Sequence, residues 1–188
     1  MSIQSILNQL PQYAYDIDRN IREMFHHELK TLEKYQLFGI ALTVGYALRN
    51  ESLLNYIRPE AKNFIDGNEA HACKIAATTI AMTGMYNNFR YNIKDRVIKK
   101  MPSTLSQDNL TGHSVDRKDF LIYCLTASIV YGSKYCMDDS IDNLKRLNCS
   151  IETIRDIAKT ASVIKATGDV LEIERMRSYE FIVREESF

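Results

Sequence analysis

The sequence predicts an all-α protein. Three observations carry that expectation. Only three prolines and seven glycines punctuate 188 residues. Long stretches place apolar residues at helical spacings of three and four. Residues that favour helix starts, such as Asn68, Asp116 and Ser150, stand just before the periodic runs.

Residues 16–34 place Ile17, Ile21, Met24, Phe25, Leu29 and Leu32 on one face, with charges between them, which predicts an amphipathic surface helix. The run FGIALTVGYAL (38–48) is apolar on nearly every side, so it predicts a buried helix ended by Arg49 and Asn50. A shorter piece, 51–57, runs up to Pro59, which disfavours helix at Arg58. From Asn68 a long helix rich in alanine, threonine and methionine follows, and its small residues let neighbours approach closely. The stretch MPSTLSQDNLTGHSV (101–115) has turn chemistry and no period. It divides the chain into an N-terminal helical unit (1–101), a linker (102–115) and a C-terminal unit with a helical tail (116–188), all within one compact domain.

The second half repeats the plan of the first. Asp116 opens an apolar helix (120–131) that Gly132 ends. Ser133 is placed to cap an amphipathic helix carrying Cys136, Met137, Ile141, Leu144 and Leu147, and Ser150 to start a third helix. IAATTIAMTG from Ile75 pairs with IAKTASVIKATG from Ile157, and FGIALTVGYAL with FLIYCLTASIVY, at an offset of about 82 residues. The expectation is a duplicated helical unit.

Charge and composition exclude several functions. Lysine plus arginine equals aspartate plus glutamate, so the basic excess of a nucleic-acid binder is missing. The N-terminal MSIQSILNQL does not read as a secretory leader, and no run of about 18 apolar residues occurs. A cytoplasmic protein without membrane or nucleic-acid partners is expected. Cys73, Cys124, Cys136 and Cys149 fit no zinc spacing, no glycine-rich phosphate loop is present, and no cofactor is expected.

The stretch YGSKYCMDD (131–139) raises the question of chemistry, because it holds a serine three residues before a cysteine at the foot of an apolar helix. The wider segments RKDFLIYCLTASIVYGSKYC (117–136) and NCSIETIRDIAKTASVIKA (148–166) resemble the carboxymuconolactone decarboxylase-like superfamily. With LFGIALTVGYALRNESLL (37–54) and IAMTGMYNNFRY (80–91), including Met85, Asn87 and Asn88, the similarity is to its alkyl hydroperoxidase D (AhpD) family, over roughly 37–171. The resemblance implies an AhpD-like fold of two related helical units in a symmetric homo-oligomer, a trimer or a multiple of one. It implies thiol-dependent reduction of alkyl hydroperoxides and of a partner peroxiredoxin, with electrons supplied through a lipoyl-bearing protein.

In that family a Cys-x-x-Cys works with two histidines and a glutamate. Carried onto this sequence, the second cysteine is Cys136, which is retained. The first cysteine is replaced by Ser133, the histidines by Tyr135 and Ser140, and the glutamate by Leu121. A serine cannot form a disulfide, so the internal dithiol cycle is lost. Leu121 and Ser140 are not bases, and a tyrosine hydroxyl is a poor one near neutral pH. Any activity then rests on Cys136, whose thiolate is favoured by the helix start and Lys134 and opposed by Asp138 and Asp139. The alternative is a non-catalytic member kept for oligomeric or partner-binding surfaces. Cys124, about two helical turns before Gly132, reads as some 12 Å from that turn and so a poor disulfide partner. Cys73 and Cys149 have no assigned role. Glu23-x-x-His26 has di-iron spacing without a second copy and reads as a solvated face; His27, His71 and His113 have no assigned role. The charged, aromatic tail from Leu171 reads as a docking helix or a frayed end.

Overall fold

A computed structural model describes residues 3–26, 31–108 and 114–176. Among them lie nine α-helices and no strand, so the chain is all-α. In order they are α1 (Ile3–Leu7), α2 (Tyr15–His26), α3 (Lys34–Leu48), α4 (Glu51–Ala61), α5 (Gly67–Asn92), α6 (Arg96–Lys100), α7 (Arg117–Tyr131), α8 (Lys134–Arg146) and α9 (Ile151–Met176). A short 3-10 turn, Gln12–Ala14, joins α1 to α2.

Helix α3 lies at the centre because it has no polar face to offer water. Leu37, Phe38, Ile40, Ala41, Leu42 and Val44 are all buried. It packs on α5, α7 and α9, and α7 meets the same α5 and α9, so the four make the core. Helices α4 and α8 close its two sides, α4 on α3 and α9, α8 on α7 and α5. Phe38 stacks on Phe64 at 4.9 Å and meets Phe25 at 5.6 Å, sealing the near end.

Several boundaries differ from the sequence reading for identifiable reasons. The helix expected over 16–34 is α2, which reaches His26, and Thr31–Glu33 is already a turn. Helix α3 then begins four residues before its apolar run, since the Gln36 side chain returns to the Glu33 N–H at 3.0 Å. Helix α4 runs through Pro59 to Ala61, because buried Leu53, Leu54, Ile57 and Ala61 hold its last turns in the core. The Glu60 carboxylate also accepts the Ile3 N–H at 2.8 Å. The cap of α5 is Asp66, not Asn68; it accepts from the N–H groups of Asn68 and Glu69. The expected caps Asp116 and Ser150 do accept helix N–H groups, from Lys118 at 2.7 Å and Thr153 at 3.0 Å. Of the tail, 171–176 completes α9 and 177–188 lies outside the described residues, as do His27 and His113.

The two halves share local geometry. Helices α3 and α7 have 15 residues each, α5 and α9 have 26 each. Arg49 (φ 56) and Gly132 (φ 64) both end their helices in the left-handed conformation. The following N–H in each case, Asn50 or Ser133, returns to a carbonyl five residues back at 3.0 Å, Gly45 or Ser128. Asn50 then donates to the Gly168 carbonyl at 2.8 Å, seating α4 on α9.

At Gly39, α3 lies close against α7. A Cβ on Gly39 would lie 2.3 Å from Cε1 of Tyr123, whose ring is fully buried and has nowhere to move. Above it Asp119, itself buried, accepts from Gln36 at 2.6 Å and from Tyr35 at 3.2 Å, tying the starts of α7 and α3 together. Burial and the adjacent Asp119 push the Tyr35 hydroxyl up to about 12. In an open helix glycine is about 1 kcal/mol worse than alanine. Here the sign reverses: Gly39→Ala is expected to lower stability by about 1–3 kcal/mol in urea unfolding. A variant as stable as the native protein would show that the Tyr123 ring is not a fixed wall.

Candidate functional site

The turn from α7 into α8 sets the site. Gly132 supplies the left-handed residue, and the Ser133 N–H returns to Ser128. Ser133 therefore stands at the cap position of α8, but its hydroxyl accepts no helix N–H, which corrects the expectation that it caps. Ser133 is fully buried and turned toward α5, where a Cβ on Gly84 would come within 3.1 Å of both its Cβ and its Oγ. Its Oγ has no hydrogen-bond partner among the described residues.

Three residues on, Cys136 points inward, and Cys136, Ser140 and Leu144 form the buried stripe of α8 at i, i+4 and i+8. The Cys136 Sγ lies 3.8 Å from Thr83 Oγ1. That hydroxyl already donates its hydrogen to the Thr79 carbonyl at 2.9 Å, so in this contact the thiol is the donor.

Cys136 opens onto a cleft of about 260 Å³. One wall is the face of α5 bearing Ile80, Thr83, Tyr86, Asn87 and Arg90. Tyr135, Cys136 and Asp139 of α8 form the second wall. The third is an extended strap from which alternate residues, Ser103, Leu105 and Gln107, face inward. Leu105 is the one partly buried residue of 101–108, so it covers the mouth.

The charges sort themselves between the two sides of α8. Lys134 and Asp138 pair with each other at 2.9 Å on the outer face, both largely exposed. Asp139 instead faces the cleft. Across from it, the Arg90 guanidinium lies 5.9 Å from the Tyr86 ring centre and donates through Nη2 to the Lys99 carbonyl. Its Nε is buried and has no partner among the described residues.

Of the five residues singled out in the sequence, Cys136 and Tyr135 line the cleft. Ser133 sits behind them against Gly84, Ser140 lies one turn deeper on α8, and Leu121 is half-buried at the edge of the core on α7. Neither Ser133, Ser140 nor Leu121 faces the cleft. Sequence reasoning missed Arg90, Thr83 and Gly84. Their spacing on α5 becomes a signal only once α8 is known to dock there. Cys124 is buried on α7, against which α8 packs. Burial holds its thiol neutral, well above the ordinary range. Burial likewise pushes Cys73 up to about 12 and raises Cys149, so these sulfurs are poor nucleophiles. Glu23 pairs with Arg19 at 3.5 Å and Lys159 at 3.6 Å, and no metal-binding cluster occurs among the described residues. His71 is exposed on α5. No described helix is long and apolar enough to cross a membrane.

No protein-family model matches the chain. Curated relatives match over nearly its full length. Alkyl hydroperoxide reductase AhpD of Coxiella burnetii (strain RSA 493 / Nine Mile phase I) is 30% identical over 173 residues, 92% of this chain and 98% of its own. The protein of the same name from Brucella canis is 28% identical over 172 residues, 92% of this chain and 97% of its own. That from Brucella abortus (strain 2308) is similar to the same extent, at 28% identity over 172 residues.

The placement of the two aspartates gives opposite expectations for neighbouring substitutions. Asp139→Asn removes a negative charge facing the thiol and should speed alkylation of Cys136 at neutral pH by about two- to threefold. Asp138→Asn, on the outer face, should leave the rate unchanged. Equal effects of the two in an iodoacetamide time course would contradict this division of charge.

Proposed function

This chain belongs to the AhpD family, and on that premise we propose that it is an AhpD-like antioxidant protein whose remaining thiol chemistry rests on Cys136. One observation carries the reading: of the four cysteines, Cys136 alone lines the cleft. The reaction is reduction of an alkyl hydroperoxide. The Cys136 thiolate attacks the outer peroxide oxygen, the O–O bond breaks, and the alcohol leaves as the sulfur becomes a sulfenic acid. Two electrons from external thiol return it to the thiol. Ser133 cannot supply them from within, so turnover is weak unless a reductant enters the cleft.

The wider family setting forms part of the same reading. It includes a cytoplasmic protein, a homo-oligomer such as a trimer, and exchange with a peroxiredoxin and a lipoyl-bearing protein. Met82, Met85 and Phe89 are exposed at i, i+3 and i+7 on α5, an apolar stripe that suits a subunit interface. The matched geometry of α3–α4–α5 and α7–α8–α9 supports two related units, 1–101 and 116–188, joined by the linker 102–115. A second reading is a non-catalytic AhpD-fold protein that acts through its surfaces. What favours it is that Tyr135, Ser140 and Leu121 put no proton relay beside Cys136.

Two measurements separate these readings. With an organic hydroperoxide and dithiothreitol, the native chain should turn over and Cys136→Ser should not. Equal rates in both, including no rate in either, would leave only the surface reading. Ser133→Cys restores the pair at the cap and third positions of α8, and mild oxidation should then remove two free thiols. If all thiols still titrate, the inherited site map has lost its geometry.

A further inference from the structure

We infer that the cleft beside Cys136 is selective for small sulfur compounds bearing a carboxylate, with Arg90 as the anion anchor; this rests on the reading of Cys136 as a working thiol. The other sulfur has to come from outside, because Ser133 offers none and Cys73, Cys124 and Cys149 do not line the cleft. At about 260 Å³ the cleft falls below the size of drug-scale pockets and suits a small molecule.

Arg90 determines which small molecule. Its head is fixed by the Lys99 carbonyl and the Tyr86 ring, while the buried Nε lacks an acceptor among the described residues. A buried guanidinium N–H left unpaired is costly, and a carboxylate oxygen satisfies it with a charge-assisted bond. Asp139, the other charge in the cleft, forms no ion pair with Arg90 and stands on α8 beside the thiol. It repels a ligand carboxylate from that side, so the ligand enters with its carboxylate toward Arg90 and its sulfur toward Cys136. Arg90, Tyr86 and Thr83 line one wall of the cleft and Cys136 the facing one. Thr83 Oγ1 is in turn 3.8 Å from the Cys136 sulfur.

The chemistry balances with that co-reactant. Sulfenic Cys136 and one thiol condense to a mixed disulfide and water. A second thiol then attacks the bound ligand's sulfur, releasing the ligand disulfide and the free Cys136 thiol. Two thiols are oxidised for each hydroperoxide reduced. The reverse half is also available, since the Cys136 thiolate attacks a ligand disulfide, forms the mixed disulfide and expels one ligand thiolate.

That reverse half gives a test that needs no hydroperoxide. The reduced full chain is exposed to dithiodipropionate, bis-hydroxyethyl disulfide and cystamine, which are anionic, neutral and cationic. Mixed-disulfide formation at Cys136 is timed by mass spectrometry, and each rate is divided by that of a free neutral thiol. The anionic reagent should lead the neutral one by about tenfold, with the cationic one slowest. Arg90→Gln should bring the anionic-to-neutral ratio to about one, and Arg90→Lys should keep part of it. Thermal unfolding confirms that the variants are folded. A native ratio at or below one, or a ratio untouched by Arg90→Gln, overturns the inference even if hydroperoxide turnover stands. Loss of turnover with dithiothreitol while the charge preference persists overturns the peroxidase reading alone. Failure of all three reagents to reach Cys136 overturns both.

Discussion

The site depends on one close approach, the first turn of α8 resting on α5 where Gly84 has no side chain. An added Cβ there would sit 3.1 Å from Ser133 and 3.9 Å from the Cys136 sulfur. Because nothing intervenes, Ser133 is buried completely and Cys136 comes to face Thr83 rather than water. The same approach aligns Ile80, Thr83, Tyr86 and Arg90 of α5 with Tyr135, Cys136 and Asp139 of α8, and the cleft is the space left between them. A similar approach occurs between α4 and α9, with Asn50 lying on Gly168. There Asn50 donates to the Gly168 carbonyl and accepts the Leu53 N–H.

The core is what keeps this approach in register. Helices α3 and α7 are apolar on almost every side, so they have no stable position except between α5 and α9. Gly39 against Tyr123 fixes how closely they cross, and the Asp119, Gln36 and Tyr35 group fixes their depth along one another. The turn at Gly132 then projects α8 from a rigid base, which suits a reactive side chain that must be held still. The chemistry that remains is sparse. One thiol lines the cleft, with an aspartate on the same wall and an arginine on the other.

How much of this was legible in the sequence varies with the kind of feature. The helices were visible because apolar spacing and turn residues are local properties; Asp116, Gly132 and Ser150 do what their types imply. Pro59 was misread as a stop because its local penalty is smaller than the burial of Ile57 and Ala61 around it. Ser133 was expected to cap α8, and it has the residue type and position to do so. Its hydroxyl is drawn instead against Gly84, a residue on another helix. The cysteine of the site was found by resemblance, whereas Arg90 and Thr83 carried no mark of their own.

The sequence by itself determined the all-α class and the family. Each of these follows from residue types and short spacings, which one segment of chain carries alone. Tertiary structure decided which charged side chains share the cleft with Cys136. Lys134 and Asp138 are adjacent to it in sequence yet pair outward, while Asp139 and the distant Arg90 face the cleft with it. The reason is geometric: a helix turns about 100° per residue, so neighbours in sequence point apart, and only the docking of α8 on α5 selects which face meets which partner.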